Sequence, residues 1–468
     1  MRSMAIALYA YLTVKSSPKI SSEHIMFRTY IKVAWRNLLR DRMYAVVNIL
    51  GLAVGLAVSI VIFLYIQNEL TYDSYNKNAD QIYRLGSGFL INGEREQMAL
   101  SSYALGPALL REMQGVESYC RLRVVPVARF TSPYQKGSED GIVQADSSLF
   151  QMFSYKLLKG NPHTCLSRPL SIVINQKLAQ KYFGDNDPMG QIMEGGSKRK
   201  YTVTGVMQNL PENTHHYFDG VLSYHSLPSY ELACVDGEDP SLWAATDYTF
   251  LQLEKGFYAQ EFNYEFLDFY KAKMAKIGKR INGYYYPILQ PLASIHIGSQ
   301  LDHDMYDAGN MSYIYGFAAI GLFLLLLAGI NYMNMATARS VTRAREVGLR
   351  KVMGSRRHHL VFQFLGESML ASLIGLLLAL ALVEIVLELT PFNDLMGKNL
   401  KLGLFQNPML GFGVLGVTFL LGLGSGLYPA IYLSSFLPVR ALRLRNRATS
   451  RSISLRKVLV IFQFTVSI

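Results

Sequence analysis

Residues 43–67 read MYAVVNILGLAVGLAVSIVIFLYIQ, 25 positions without one charged side chain. A helix rises about 1.5 Å per residue, so the run is long enough for a hydrocarbon core about 30 Å thick. Asn48 and Ser59 are its main polar interruptions before the end. Three further apolar runs follow, at 313–338, at 369–389 after a lead-in containing Glu367, and at 409–436. They predict a multi-pass α-helical membrane protein with four spans, and they leave a large block, 68–312, inserted between spans 1 and 2.

The third run needs a magnitude check. Between Leu370 and Leu389 it holds 13 Leu, Ile and Val residues, which favour insertion by roughly 4 to 8 kcal/mol together. Glu384 and Glu388 would cost about 5 to 7 kcal/mol at the bilayer centre, but they sit in the last turns, where snorkelling and water reduce the penalty. The span stands, and the two carboxylates read as interfacial in preference to an ion path.

The chain has 468 residues, 50% hydrophobic and 17% charged, with a formal net charge of +12 and a mean hydropathy of +0.16. Disordered, collagenous and disulfide-scaffold classes are excluded by that profile. The +12 conceals a split: 68–312 carries 22 Lys+Arg against 27 Asp+Glu, while the other 223 residues carry 24 against 7. A part that is apolar and basic at once suits spans with cationic flanks, not nucleic-acid binding. The cations cluster at 28–42, at 339–357 and at 440–457, whereas 391–408 holds only Lys398 and Lys401. The positive-inside rule then places all three clusters in the cytoplasm and 68–312 outside it.

Within 68–312, β-like runs (Ser171–Asn175, 201–207, Tyr248–Leu253) alternate with helical ones (103–113, Gln176–Phe183). An α+β domain of two subdomains is expected. His215, His216, His225, His296 and His303 lack ligand spacing, so no metal site is expected. Cys120, Cys165 and Cys234 are an odd set without metal or redox spacing, and at most one pair could form in an oxidising compartment.

Two basic segments carry more than topology. From 26 to 42, Arg28, Lys32, Arg36 and Arg40 make one stripe of a helix, with Phe27, Ile31 and Trp35 towards the other side. Such a helix rests in the lipid headgroup layer. The second segment, ARSVTRAREVGLRKVMGSRR at 338–357, puts Arg339, Arg343, Glu346, Arg350 and Arg357 on one side of a helix and Val341, Ala344, Gly348 and Val352 on another. Glu346 can pair with Arg343 and Arg350, Gly354 can end the helix, and Ser355 is expected to cap the next. Such a helix is either a handle for a cytoplasmic partner or a solvated basic face beside anionic lipid.

INYMNMATARSVTRAREVGLRKVMGSRRHHLVFQFLGES resembles the signature of FtsX-like permeases, the membrane subunits of MacB-type ABC transporters. IKVAWRNLLRDRMYAVVNILGLAVGLA resembles their first span, SIVINQKLAQKYFGDNDPMGQ and YTVTGVMQNLPENTHHYFDG their MacB-like periplasmic core domain, and GSGLYPAIYLSSFLPVRAL the end of their fourth span. The resemblance implies that a separate ABC ATPase docks on the coupling helix, 339–357, with ATP and Mg on that partner and no cofactor on this chain. It carries over Arg343, Arg345, Glu346, Gly348, Arg350, Lys351 and Gly354 as the ATPase contact. It also implies the cell inner membrane, a periplasmic 68–312, and a periplasmic adaptor or a second permease half as further partners. Residues 437–456 then read as a basic cytoplasmic linker and 457–468, whose SISLRKVLVIFQFTVSI context resembles the opening of a second half, as the start of a fifth span cut short. Residues 1–25 read as an extension, either a signal-like segment behind Arg2 or sequence ahead of a true start at Met26.

The expected function is therefore export or extraction of an envelope substrate, driven by motion passed from the ATPase. The alternative is a transmembrane sensor with a ligand-binding outer domain. Catalysis on this chain has no support, because the sequence contains no G-x-x-x-x-G-K-[ST], G-x-S-x-G or H-E-x-x-H.

Overall fold

The computed structural model describes residues 32–435 and most of 457–465, leaving out 212, 229–230, 232–238, 307, 339 and 405–407. The expectations for 1–25, for 26–31 with Arg28, for 437–456, for 459, 462 and 466–468 and for Cys234 lie outside the described residues, as do the Val341 and Arg345 side chains. The described chain divides into two compact units, Gln67–Ile314 and the remainder.

The remainder contains four helices of spanning length: Arg42–Leu70, Met311–Ala338, Arg357–Leu389 and Pro408–Ser434. The third, 33 residues long, begins well before its apolar run, so Gln363 and Glu367 belong to the span itself. Hydropathy does not reveal this because partners elsewhere in the fold satisfy those polar groups. Without a hydrophobic drive between helices in lipid, small residues permit close packing. A Cβ on Gly55 would meet the Ala328 Cβ at 2.7 Å, and one on Gly426 would meet the Ser368 Oγ at 2.0 Å. The pairs Gly51/Gly55 and Gly422/Gly426, each four residues apart, thus seat the first span on the second and the fourth on the third.

Gln67–Ile314 is built on one mixed sheet of thirteen strands among the described residues. In chain order these are β1 (Ile82–Ile91), β2 (Glu94–Met98), β3 (Val116–Val125), β4 (Ala128–Thr131), β5 (Lys136–Glu139), β6 (Ile142–Ala145), β7 (Leu157–Lys159), β8 (Ser171–Asn175), β9 (Ile192–Glu194), β10 (Lys200–Met207), β11 (Gly220–Ser223), β12 (Tyr248–Leu253) and β13 (Gly283–Pro291). The path across the sheet runs β13-β1-β12-β3-β6-β11-β8-β10-β9-β4-β5, with β2 added to β1 and β7 to β10. Central β6, β8 and β11 are buried along their whole length, whereas the edge strand β5 is not. β8 and β10 are parallel, which requires a crossover, and helix Gln176–Phe183 supplies it. Asn175 caps that helix by accepting from the Leu178 N–H at 2.8 Å, and Gly184, at φ +58°, ends it.

The expected α+β class holds, but its two subdomains do not separate: one continuous sheet runs through both. Helices Leu105–Glu112 and Ala259–Lys273 cover Leu85, Leu251 and Tyr285 at one end. Helix Gln176–Phe183 covers Ile172, Ile174 and Val203 at the other. The helices alternate along the chain as two subdomains would, while long-range pairing of β3 with β6 and β12 joins the halves.

Candidate coupling site

The most informative constellation surrounds one carboxylate, Glu367, near the start of the third span. Its Oε1 accepts from Asn37 Nδ2 at 2.7 Å and from Gln363 Nε2 at 3.3 Å, and its Oε2 accepts from Arg343 Nη1 at 2.5 Å. These donors come from three segments: the helix at 32–40, the third span one turn earlier, and helix Ser340–Val352. An ionised carboxylate has acceptors only, so donors converging from three elements tie them together. Burial opposes the charge on Arg343, but the Glu367 carboxylate outweighs it and raises the guanidinium above its usual range. The Arg343 guanidinium also lies 5.6 Å from the centre of the Phe364 ring.

A second layer extends the anchor. Arg350 donates to Gln363 Oε1 at 2.5 Å and to Glu346 Oε1 at 2.6 Å, and Arg40 approaches Glu346 at 3.5 Å. Lys351 Nζ donates to the Ser434 carbonyl at 2.6 Å, at the end of the fourth span. Burial, then the nearby Arg357 charge, lowers the Lys351 pKa. Below these contacts Val347, Leu360, Phe364, Ala430 and Leu433 form one apolar cluster. Beside the hub lies a small cavity of mixed lining, whose polar residues include Asn37, Asn48, Arg343 and Glu367. Asn48 is buried there with neither amide atom hydrogen-bonded among the described residues.

The helix ends as its sequence predicts. The Gly354 N–H donates to the Lys351 carbonyl at 3.1 Å and the Ser355 N–H to the Arg350 carbonyl at 2.9 Å, the paired bonds of a Schellman end, with Gly354 at φ +94°. Ser355 does not cap the next helix: Arg356 occupies the N-cap position and no side chain caps it. The Schellman turn uses the Ser355 N–H and places it one residue too early.

Among the seven carried-over residues, Arg343 faces the hub and Gly348 is buried, Glu346, Arg350 and Lys351 are half-buried in the ion-pair layer, and Gly354 is exposed at the turn. The outward side belongs to apolar residues: Val352, expected on one side with the buried Ala344 and Gly348, is 65% exposed, and Leu349 and Met353, which the charge reading passed over, are 57% and 79% exposed. Their signal was present, since 349, 352 and 353 share one face of a helix. Asn37 and Glu367 were also missed. The only hint was a Gln363/Glu367 pair four residues apart entering an apolar run. Of the histidines, His215, His216 and His296 come near one another in the inserted unit, yet no metal-binding group forms among the described residues.

Comparison with known proteins adds the family. Residues 45–258 match the model of the MacB-like periplasmic core domain, and 318–438 match that of the FtsX-like permease C-terminal region. The chain is 22% identical over 439 residues to the uncharacterized ABC transporter permease YvrN of Bacillus subtilis, covering 88% of this chain and 99% of that one. It is 23% identical over 434 residues to the pyoverdine export ATP-binding/permease protein PvdT of Pseudomonas entomophila, covering 88% of this chain and 59% of that protein. It is 36% identical over 128 residues to the macrolide export ATP-binding/permease protein MacB of Bdellovibrio bacteriovorus, covering 27% of this chain but only 18% of that protein. Two matched modules in order, the four spanning helices and the inserted sheet domain agree: the chain belongs to the FtsX/MacB-like ABC transporter permeases.

Proposed function

We propose that this permease is the membrane lever of an export system whose ATPase is a separate chain. The Glu367 hub carries the reading, because it joins the coupling helix, the 32–40 helix and the third span at one buried point. A displacement of helix Ser340–Val352 is then delivered to the spans as a rigid movement instead of being lost in loose side chains. In this reading Leu349, Val352 and Met353 enter the ATPase surface, since an exposed apolar patch on a helix in water marks a partner site. Arg343, Glu346, Arg350 and Lys351 position the helix, Gly348 lets it pack, Gly354 ends it, and Arg345 is a further cation of the same helix. ATP and Mg sit on the partner. Residues 67–314 work on the envelope substrate on the far side of the inner membrane, with the basic flanks in the cytoplasm, Trp35 in the headgroup layer, and an adaptor or second permease half completing the assembly. Both matched modules belong to transporters, which favours this reading over the sensor.

Purifying the full chain with its ATPase tests the assignment. L349E/M353E should abolish association, while E367Q should keep association yet lose ATP-driven substrate movement. Unchanged association in L349E/M353E, or ATP hydrolysis by the purified permease alone, would overturn it.

A further inference from the structure

The inserted unit is entered by the segment at 71–76, after the first spanning helix, and left by the segment at 299–306, ahead of the second. The loop at 213–216 lies on both. On the entry side the Asp73 N–H donates to the Asn213 carbonyl at 2.9 Å, and Asn213 Nδ2 donates to the Thr71 carbonyl at 2.9 Å. The Asp73 carboxylate accepts from Thr214 Oγ1 at 2.9 Å and from the His215 N–H at 3.2 Å. On the return side His215 Nε2 lies 3.0 Å from Asp304 Oδ1. Arg84 of β1 donates to both Asp304 oxygens, at 2.5 and 2.9 Å, and Ser299 Oγ donates to it at 2.6 Å. A further bridge pairs His296 Nε2 with Glu69 Oε2 at 3.0 Å, with Tyr72 stacked on the imidazole at 3.4 Å.

One member of the loop is different. His216 is fully buried, edge-on to Phe250 of β12 at 4.6 Å and to His215 at 5.0 Å, and neither ring nitrogen has a hydrogen-bond partner among the described residues. His215 and His296 each face a carboxylate at 3.0 Å, from Asp304 and Glu69. Among the described residues His216 has none: the charged and titratable groups around it are His215 of its own loop, Arg84 of β1 and Asp304 of the return segment, which is already held by Arg84 and His215. Phe250 brings no charge.

We infer that the 213–216 loop is an acid-released clamp, holding the entry and return segments of the inserted unit together until a proton is placed on His216. Burial, then His215 and Arg84, holds the His216 imidazole well below its ordinary range, so the closed clamp excludes the proton. Once the loop opens, the ring titrates near the usual 6.5. Below that pH the open form binds more protons than the closed one, so acid favours opening, by about tenfold between pH 7.5 and pH 5.5. Asp73, whose carboxyl is raised by burial, acts in the opposite sense in the carboxylate range, which sets pH 5.5 as the lower limit of the test. The inference concerns regulation and does not depend on an ATPase partner.

Amide hydrogen exchange of the full chain in lipid nanodiscs, corrected for intrinsic rates, reads the opening directly. Peptides covering 213–218 and 299–306 should open about tenfold more at pH 5.5 than at pH 7.5 in the wild type, and equally at the two values in H216F. H216M carries the same reading where the phenylalanine variant does not fold. An unchanged wild type, or a tenfold response persisting in the variant, would overturn the clamp.

Discussion

Glu367 is one carboxylate with donors from three segments, and its cost and its use have the same origin. A charge taken out of water is tolerated only while its partners stay in place. Its side chain is 7% exposed and that of Arg343 20%, so removing either one leaves the other buried and unpaired. E367A and R343A should each lose about 3 to 5 kcal/mol in denaturant unfolding of the detergent-solubilised protein. R343M/E367M should recover much of that loss while remaining defective in transport, since apolar replacement of a buried pair restores stability but not a directional link. A double mutant as unstable as the single ones would count against the pair. Arg343 was legible as part of a cationic stripe. Its inward turn was not, because the partner lies on a different helix.

Helix Ser340–Val352 shows how far local chemistry reaches. Its period and its glycine stop follow from side chains within a few positions, and the structure agrees with them. Gly354 must be left-handed, at φ +94°. There a β-branched residue costs about 1 to 2 kcal/mol and asparagine much less. G354V should fray the helix end, seen as faster amide exchange over 350–355, and G354N should exchange like the wild type. The Ser355 cap failed for an equally local reason, because the Schellman turn claimed that residue first. Between spans, G426L should separate the third and fourth helices, since even a Cβ would fall 2.0 Å from the Ser368 Oγ. Loss of that contact should appear as a lower unfolding midpoint than for the exposed control G424L, whose Cβ meets nothing within 4 Å.

For the molecule as a whole, the charge split is the organising fact. Acidic, soluble-like composition is confined to the inserted unit and basic composition to the flanks of the spans, which sets an orientation that can be measured. In a background with Cys234 replaced by serine, a membrane-impermeant maleimide should label D302C from outside intact cells and S355C only after lysis. The native thiols should not interfere, because Cys120 and Cys165 are buried and burial raises Cys165 to about 11. The reverse pattern of labelling would invert the topology. The single sheet of the inserted unit was less legible than the orientation: residues as distant as 82–91 and 283–291 pair along nine positions, and no local pattern announces such pairing.

Span positions, charge segregation, the amphipathic helix at 340–352 and its glycine stop belong to the sequence by itself, because hydropathy, periodicity and turn chemistry act over a few neighbouring residues. Only the tertiary structure decided which cations face inward and which apolar residues are left exposed. The physical reason is sequence distance. Glu367 takes its charge partner from 24 residues away and its buried amide from 330 away, and the free energy that holds a charge in place is set by the groups that surround it in space.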